Sequence, residues 1–149
     1  MPRAAPARPP TLVPDPQRAQ RGTIDTSVVV DIEQLEAGQL TVELAVSAVT
    51  MAELAAGHHA TRDAEERARR QNRSQRAEAA FDPLPFDGES ARAYGRIYAA
   101  EIASGQKTRG PRALNLMIAA TACAANLPID TRNAEDFRGL QDLVDVFAV

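Results

Sequence analysis

The stretch Gly22-Thr-Ile-Asp-Thr-Ser-Val-Val-Val-Asp31 decides how the rest of the chain reads. Thr23 and Ile24 are strand formers. The polar triplet Asp25-Thr26-Ser27 interrupts the run before Val28, Val29 and Val30 resume it. This pattern predicts a short buried strand that stops at Asp25. In an open α/β sheet the carboxyl ends of the strands border the crevice where ligands bind, so a carboxylate there is a candidate functional group. Thr26 and Ser27 both suit the start of a helix. The competing reading is local: Asp is common in turns and caps, and Asp25 can serve as one without a further role.

Outward from this stretch, strand-like and helix-like segments alternate. The sequence predicts a short helix over 28–35, a turn over 36–39 and a second buried strand over 44–49. A helix opening at Thr50 ends near Gly57, a residue type suited to a helix C-terminus. Arg, Glu, Ala and Gln favour a long charged helix over 61–80. Phe81-Asp-Pro-Leu-Pro-Phe86 reads as a short extended piece, confined by its prolines to a sheet edge or strand end. Asp87-Gly-Glu-Ser90 caps a helix reaching about residue 103, with Ala91, Tyr94, Ile97 and Tyr98 at helical spacing. A polar loop over 104–111 leads to a helix over 112–126 and a short strand over 127–130. Residues 131–137 turn into a helical stub that Gly139 ends, and 143–149 forms a last strand. Such alternation implies the α/β class, with a parallel sheet covered on both faces.

The chain has 149 residues, enough for one domain with a real core. Aromatic residues are few and Trp is absent, so that core is built from Ala, Val, Leu and Ile. The net charge of −3 offers no global basic field for nucleic acid; any such contact rests on a local patch. Cys123 is the single cysteine, which forbids an intramolecular disulfide and suits a reducing compartment such as the cytoplasm. It lies in the small-residue run 118–125 and reads as a packed helix residue. The sequence has no apolar run long enough to span a membrane. A P-loop and a dinucleotide-binding glycine motif are both missing, and the adjacent His58 and His59 lack metal-ligand spacing.

Three acids fall at element junctions: Asp25, Glu53 and Asp136. Each has a local explanation. Thr50-Met-Ala-Glu53 has the form of a capping box, and Asp136 follows Asn133 by three and could close a similar cap. In a parallel sheet, however, successive strand ends converge on one edge, and carboxylates gathered there repel one another unless a cation lies between them. Oxygen-only clusters suit Mg²⁺ or Mn²⁺, and such ions promote phosphodiester hydrolysis.

Ile24-Asp-Thr-Ser27, Thr50-Met-Ala-Glu-Leu54, Leu116-Met-Ile-Ala-Ala-Thr121 and Thr131-Arg-Asn-Ala-Glu-Asp-Phe137 occur in the order and spacing of PIN-domain ribonucleases. They resemble most the VapC toxins of toxin–antitoxin pairs, as do Leu84-Pro-Phe86 and Ala91-Arg-Ala-Tyr-Gly-Arg96. The resemblance spans about 22–149. It implies a three-layer α/β/α PIN-like domain with a central parallel sheet and a Mg²⁺- or Mn²⁺-dependent endoribonuclease acting on RNA. It further implies a homodimer and inhibition by a VapB-like antitoxin, with no membrane partner. Asp25, Glu53 and Asp136 match three of the family's acidic positions. Asn115 departs from the pattern: the family usually has an acid directly before the Leu-x-Ile-Ala-Ala motif. An amide offers a metal one carbonyl oxygen but no charge. The catalytic and metal set implied is therefore Asp25, Glu53, Asn115 and Asp136. The alternative is a catalytically impaired PIN domain that binds RNA or antitoxin, and Asn115 is the residue that keeps it open. Asn in a first helical turn is also ordinary. Arg69, Arg73 and Arg76 share one face of the 61–80 helix. With Glu65, Glu66 and Glu78 nearby they read first as an ion-paired surface, and second as a contact for RNA phosphate or antitoxin.

Residues 1–21 hold six prolines and four arginines without apolar periodicity, and no apolar central segment marks a secretory signal. The expectation is a disordered, Pro-rich leader outside the domain at 22–149. Deleting residues 1–20 should leave the midpoint of thermal unfolding within a degree or two of the full chain's; a large drop would show that the leader packs on the domain.

Overall fold

The computed structural model describes residues 20–149, so the expected leader lies almost wholly outside the described residues. Four parallel strands form one sheet in the order β2-β1-β3-β4: β1 Arg21–Ile24, β2 Glu43–Val46, β3 Ile129–Thr131 and β4 Val146–Ala148. Five α-helices accompany them: α1 Thr26–Val30, α2 Ala48–Gly57, α3 Ala64–Ala80, α4 Gly88–Ala103 and α5 Pro111–Ala124. Every residue of β3 is buried, and so are the last three of β1, as expected of strands covered on both faces.

Strand register shows how the two faces are divided. Ile24 pairs with Val46 and with Asp130, so Ile24 and Val46 point one way while Ile129 points the other. Ile24 and Val46 belong to a cluster with Val28, Val29, Leu54 and Ala77, which draws α1, α2 and α3 together. Ile129 belongs to a second cluster with Ala93, Ile97, Leu116, Ile118 and Phe137, which packs α4 and α5 with the C-terminal loops.

Several boundaries differ from the sequence expectation, each for a local reason. The helix expected over 28–35 ends at Val30 and continues as a 3₁₀ turn over Ile32–Gln34, because three consecutive β-branched residues support helix poorly. The strand expected over 44–49 stops at Val46, since Ser47 leaves the sheet to cap α2 and its side chain accepts from Thr50 N. Thr50 is therefore inside the helix, and Glu53 belongs to the second turn instead of closing a capping box. The strand expected over 143–149 shortens to Val146–Ala148, as Leu143 N and Val144 N both donate to Leu140 O in a preceding turn. The 81–86 piece behaves as anticipated for an edge: Leu84 N donates to Val46 O and Leu84 O accepts from Ala48 N, both at 2.8 Å. Gly22 is needed for a close approach, as a Cβ there would lie 2.8 Å from Thr41 Cγ2. Thr41 crosses β1 at this point so that its N–H can donate to the carboxylate of buried Asp130 at 2.9 Å.

The most buried charge on the helical side is Glu101 of α4, with no exposed side-chain surface. Arg112, in the first turn of α5, meets it with two nitrogens, Nε lying 2.8 Å from Oε2. The same guanidinium donates to the backbone oxygens of Asp136 and Arg138. One side chain thus ties α4, α5 and the loop after β3 together. Arg112→Ala should lower stability by about 3–5 kcal/mol, the usual cost of leaving a buried charge uncompensated. The double change Glu101→Leu/Arg112→Met should recover most of that loss in a chemical-denaturation series.

Candidate active site

The carboxyl edge of the sheet gathers the polar groups. Asp25 follows β1 directly and is the N-cap of α1, so the local reading of this residue holds and still leaves it at the sheet's carboxyl edge. Its Oδ1 accepts from Val28 N at 3.1 Å and from Ser27 Oγ at 2.6 Å. Its Oδ2 accepts from Thr131 Oγ1, at the end of β3, at 2.5 Å. The carboxylate is buried and fixed from three sides.

Glu53 reaches the same place from α2. Thr26 Oγ1 donates to its Oε1 at 2.9 Å and lies 3.3 Å from Thr50 Oγ1. Burial pushes the Glu53 carboxyl above the ordinary glutamate range; the Thr26 hydrogen bond works against this, and the nearby Asp25 charge adds to it. Asp25 and Glu53 are thus a pair of acids close enough to feel each other, with Thr26 between them.

Asp136 and Asn115 approach from the other side of the edge. Asp136 sits in the 3₁₀ turn Ala134–Phe137 just after β3, and Asn133 makes no side-chain cap there. The turn is held through the main chain: Asp136 N donates to Asn133 O at 2.9 Å and Asp136 O accepts from Arg112. Asn115 lies one turn beyond Arg112 in α5, whose N-terminus faces this edge because the helix runs back to feed β3. Asn115 and Asp136 are half-buried, and neither side chain makes a hydrogen bond. Among the described residues, no three His, Cys, Asp or Glu side chains are gathered closely enough to hold a metal ion. The structure brings Asp25 and Glu53 together and leaves Asp136 and Asn115 at the same edge without a shared contact.

The donor chemistry nevertheless suits a hard divalent cation. The groups at this edge are carboxylate, hydroxyl and amide oxygens with no thiolate or imidazole. A cation would also offset the burial, and the lesser repulsion from Asp25, that raise Glu53. Sequence reasoning missed the supporting residues Thr26, Ser27, Thr131 and Arg112. The hydroxyls lie inside the quoted motifs, where the acids drew the reading; the reach of Arg112 to Glu101 and Asp136 has no local signature.

Residues 23–142 match the family model of the PIN domain. Ribonuclease VapC5 of Mycobacterium tuberculosis is 32% identical over 128 residues, covering 84% of this chain and 91% of that protein. The crystal structure of VapBC-5, a member of the VapBC family of toxin–antitoxin systems from the same organism, superposes with a TM-score of 0.75 at 31% identity, covering 88% and 98% of the two chains. FitAcB from Neisseria gonorrhoeae gives 0.61 at 25% identity, covering 84% and 95%.

Glu53 makes the metal-free protein sensitive to pH. A carboxyl whose folded pKa is raised holds a proton that the unfolded chain releases, so its effect on stability worsens as pH rises through the carboxylate range and is complete above it. Metal-free Glu53→Gln should therefore unfold a few degrees higher than the parent at pH 7, with the difference vanishing near ~pH 4. Added Mn²⁺ should raise the parent's midpoint and leave the variant's unchanged. Equal parent and variant midpoints at both pH values would contradict the desolvated, repelled carboxyl.

Proposed function

Because this chain belongs to the PIN-domain family and is of the VapC type, we propose that it is a toxin-like, metal-dependent endoribonuclease held in check by a VapB-like antitoxin. The observation that carries this reading is the Asp25–Glu53 pair at the carboxyl edge of the parallel sheet, Asp25 held by Ser27, Val28 N and Thr131 and Glu53 by Thr26. The match to a ribonuclease across nearly its whole length supports it. The neighbouring structures are of VapBC-type complexes, which supports a VapB-like partner for this chain. The reading puts the protein in the cytoplasm, where RNA and such a partner meet. Among the described residues no helix is long and apolar enough to cross a membrane. The comparisons favour a nuclease over a silent binding module.

We assign Asp25, Glu53, Asn115 and Asp136 to the site, with Mg²⁺ or Mn²⁺ as the ion. When bound, the ion supplies an activated water and neutralises charge on phosphate oxygens. The chain's own residues do the positioning. Ser27, Val28 N and Thr131 hold Asp25 in one orientation. Thr26 orients Glu53 through its hydroxyl. Arg112 fixes the backbone of Asp136 and leaves its carboxylate free to turn toward an ion. Asn115 contributes a neutral oxygen where the family usually has an acid.

The test is cleavage of an RNA pool by antitoxin-free protein with Mn²⁺, with Mg²⁺ and with a chelator. Cleavage should require the divalent ion. Asn115→Asp should bind Mn²⁺ more tightly and cleave at least ~10-fold faster, a gain that needs about 1.4 kcal/mol of transition-state stabilisation. Absence of cleavage under every condition in both proteins would overturn the nuclease reading. Equal metal affinity and equal rates in the two would remove Asn115 from the site.

A further inference from the structure

The arginines of α3 are alike in the sequence but not in the structure. Arg69 pairs with Glu65 and Glu66, Arg70 with Glu66 and Gly57 O, and Arg76 with Glu33. Arg67 donates to Thr61 O. Arg73 alone among these five makes no ion pair and no hydrogen bond, although it is half-buried. It lines two neighbouring clefts. One, of about 290 Å³, is lined by Thr26, Glu53 and Arg70 as well as Arg73. The other, of about 410 Å³, runs along α3 past Asn72, Arg69 and Arg76.

A cation kept without a partner on the wall of a cleft that holds Glu53 is poised for an anion from outside the chain. Arg69, Arg73 and Arg76 recur at i, i+4 and i+7 on one helix face, a rise of about 10 Å. The clefts therefore follow one helix face as a track; Arg69 and Arg76 on it are held by Glu66 and Glu33, and Arg73 between them is the cation left for an extended anion. We propose that Arg73 is a substrate-binding residue: it holds an RNA phosphate flanking the one presented to Asp25 and Glu53, and it directs the strand along α3. This rests on the nuclease reading of the same site. It adds where the strand leaves that site, and it gives the guanidinium a bidentate role that a lone amine fills less well.

The test uses the full chain and a fluorescent pool of single-stranded RNA 20-mers. Binding is read by anisotropy in Ca²⁺ across a salt series, and cleavage is read in Mn²⁺. The variants are Arg73→Ala, Arg73→Lys and, as a control for net charge on another helix, Arg92→Ala. Thermal unfolding in parallel confirms that each is folded. Arg73→Ala should weaken binding about tenfold and lower the slope of log affinity against log salt by ~0.7, the loss of one single-strand phosphate contact. Its KM should rise with kcat changed less than twofold, Arg73→Lys should recover part of the loss, and Arg92→Ala should behave as the parent. Unchanged affinity and salt slope in Arg73→Ala would overturn the proposal. So would unchanged RNA binding with weakened binding of the antitoxin, which would make Arg73 a protein-docking residue. If the parent binds RNA but never cleaves it, the nuclease reading fails while the binding series still decides the role of Arg73.

Discussion

The carboxylate of Asp25 is the constraint around which the carboxyl edge is built. It caps α1, takes the hydroxyl of Ser27, and receives Thr131 from the neighbouring strand. These bonds join the ends of β1 and β3 at the point where both strands hand over to other elements. A buried acid satisfied by three donors costs far less than one left bare. The same donors leave it oriented rather than merely tolerated. Glu53 differs in being half-solvated and raised by burial and by Asp25. Two carboxyl groups a few residues of structure apart thus occupy unlike environments, which is how acid chemistry is usually divided between like groups.

The alternation of strands and helices was legible because each element has its own apolar period, and the parallel sheet follows from that alternation. Asp25 was legible as a strand-end acid for the same reason. Glu53 was found with the wrong local account. Ser47 and Thr50 are equally good caps by residue type, and the choice between them is made by tertiary structure, since Leu84 hydrogen-bonds at Val46 and Ala48 and so sets where β2 ends. The short last strand was overestimated because Leu143 and Val144 are apolar for packing against the core, where Val144 is buried, and not for sheet pairing.

What stayed hidden is contact between residues far apart in the chain. Nothing in the order of residues connects Glu101 with Arg112 and then with the main chain of Asp136. Likewise five arginines of α3 carry the same local composition, and only the positions of Glu33, Glu66 and the Thr61 carbonyl separate the held ones from Arg73. Glu33 comes from the turn after α1, so that separation depends on how the first helix region packs against the third helix.

The Pro83-Leu84-Pro85 segment bears on how the sheet meets other molecules. Leu84 alone bridges to the β2 side, using its N–H and its carbonyl there. In an extended chain, neighbouring residues point their amides the opposite way, so the outward donors would be those of residues 83 and 85. Both are proline and have no N–H to give. A stray strand arriving on that flank would find acceptors without donors, and strand-by-strand growth from that flank is blocked.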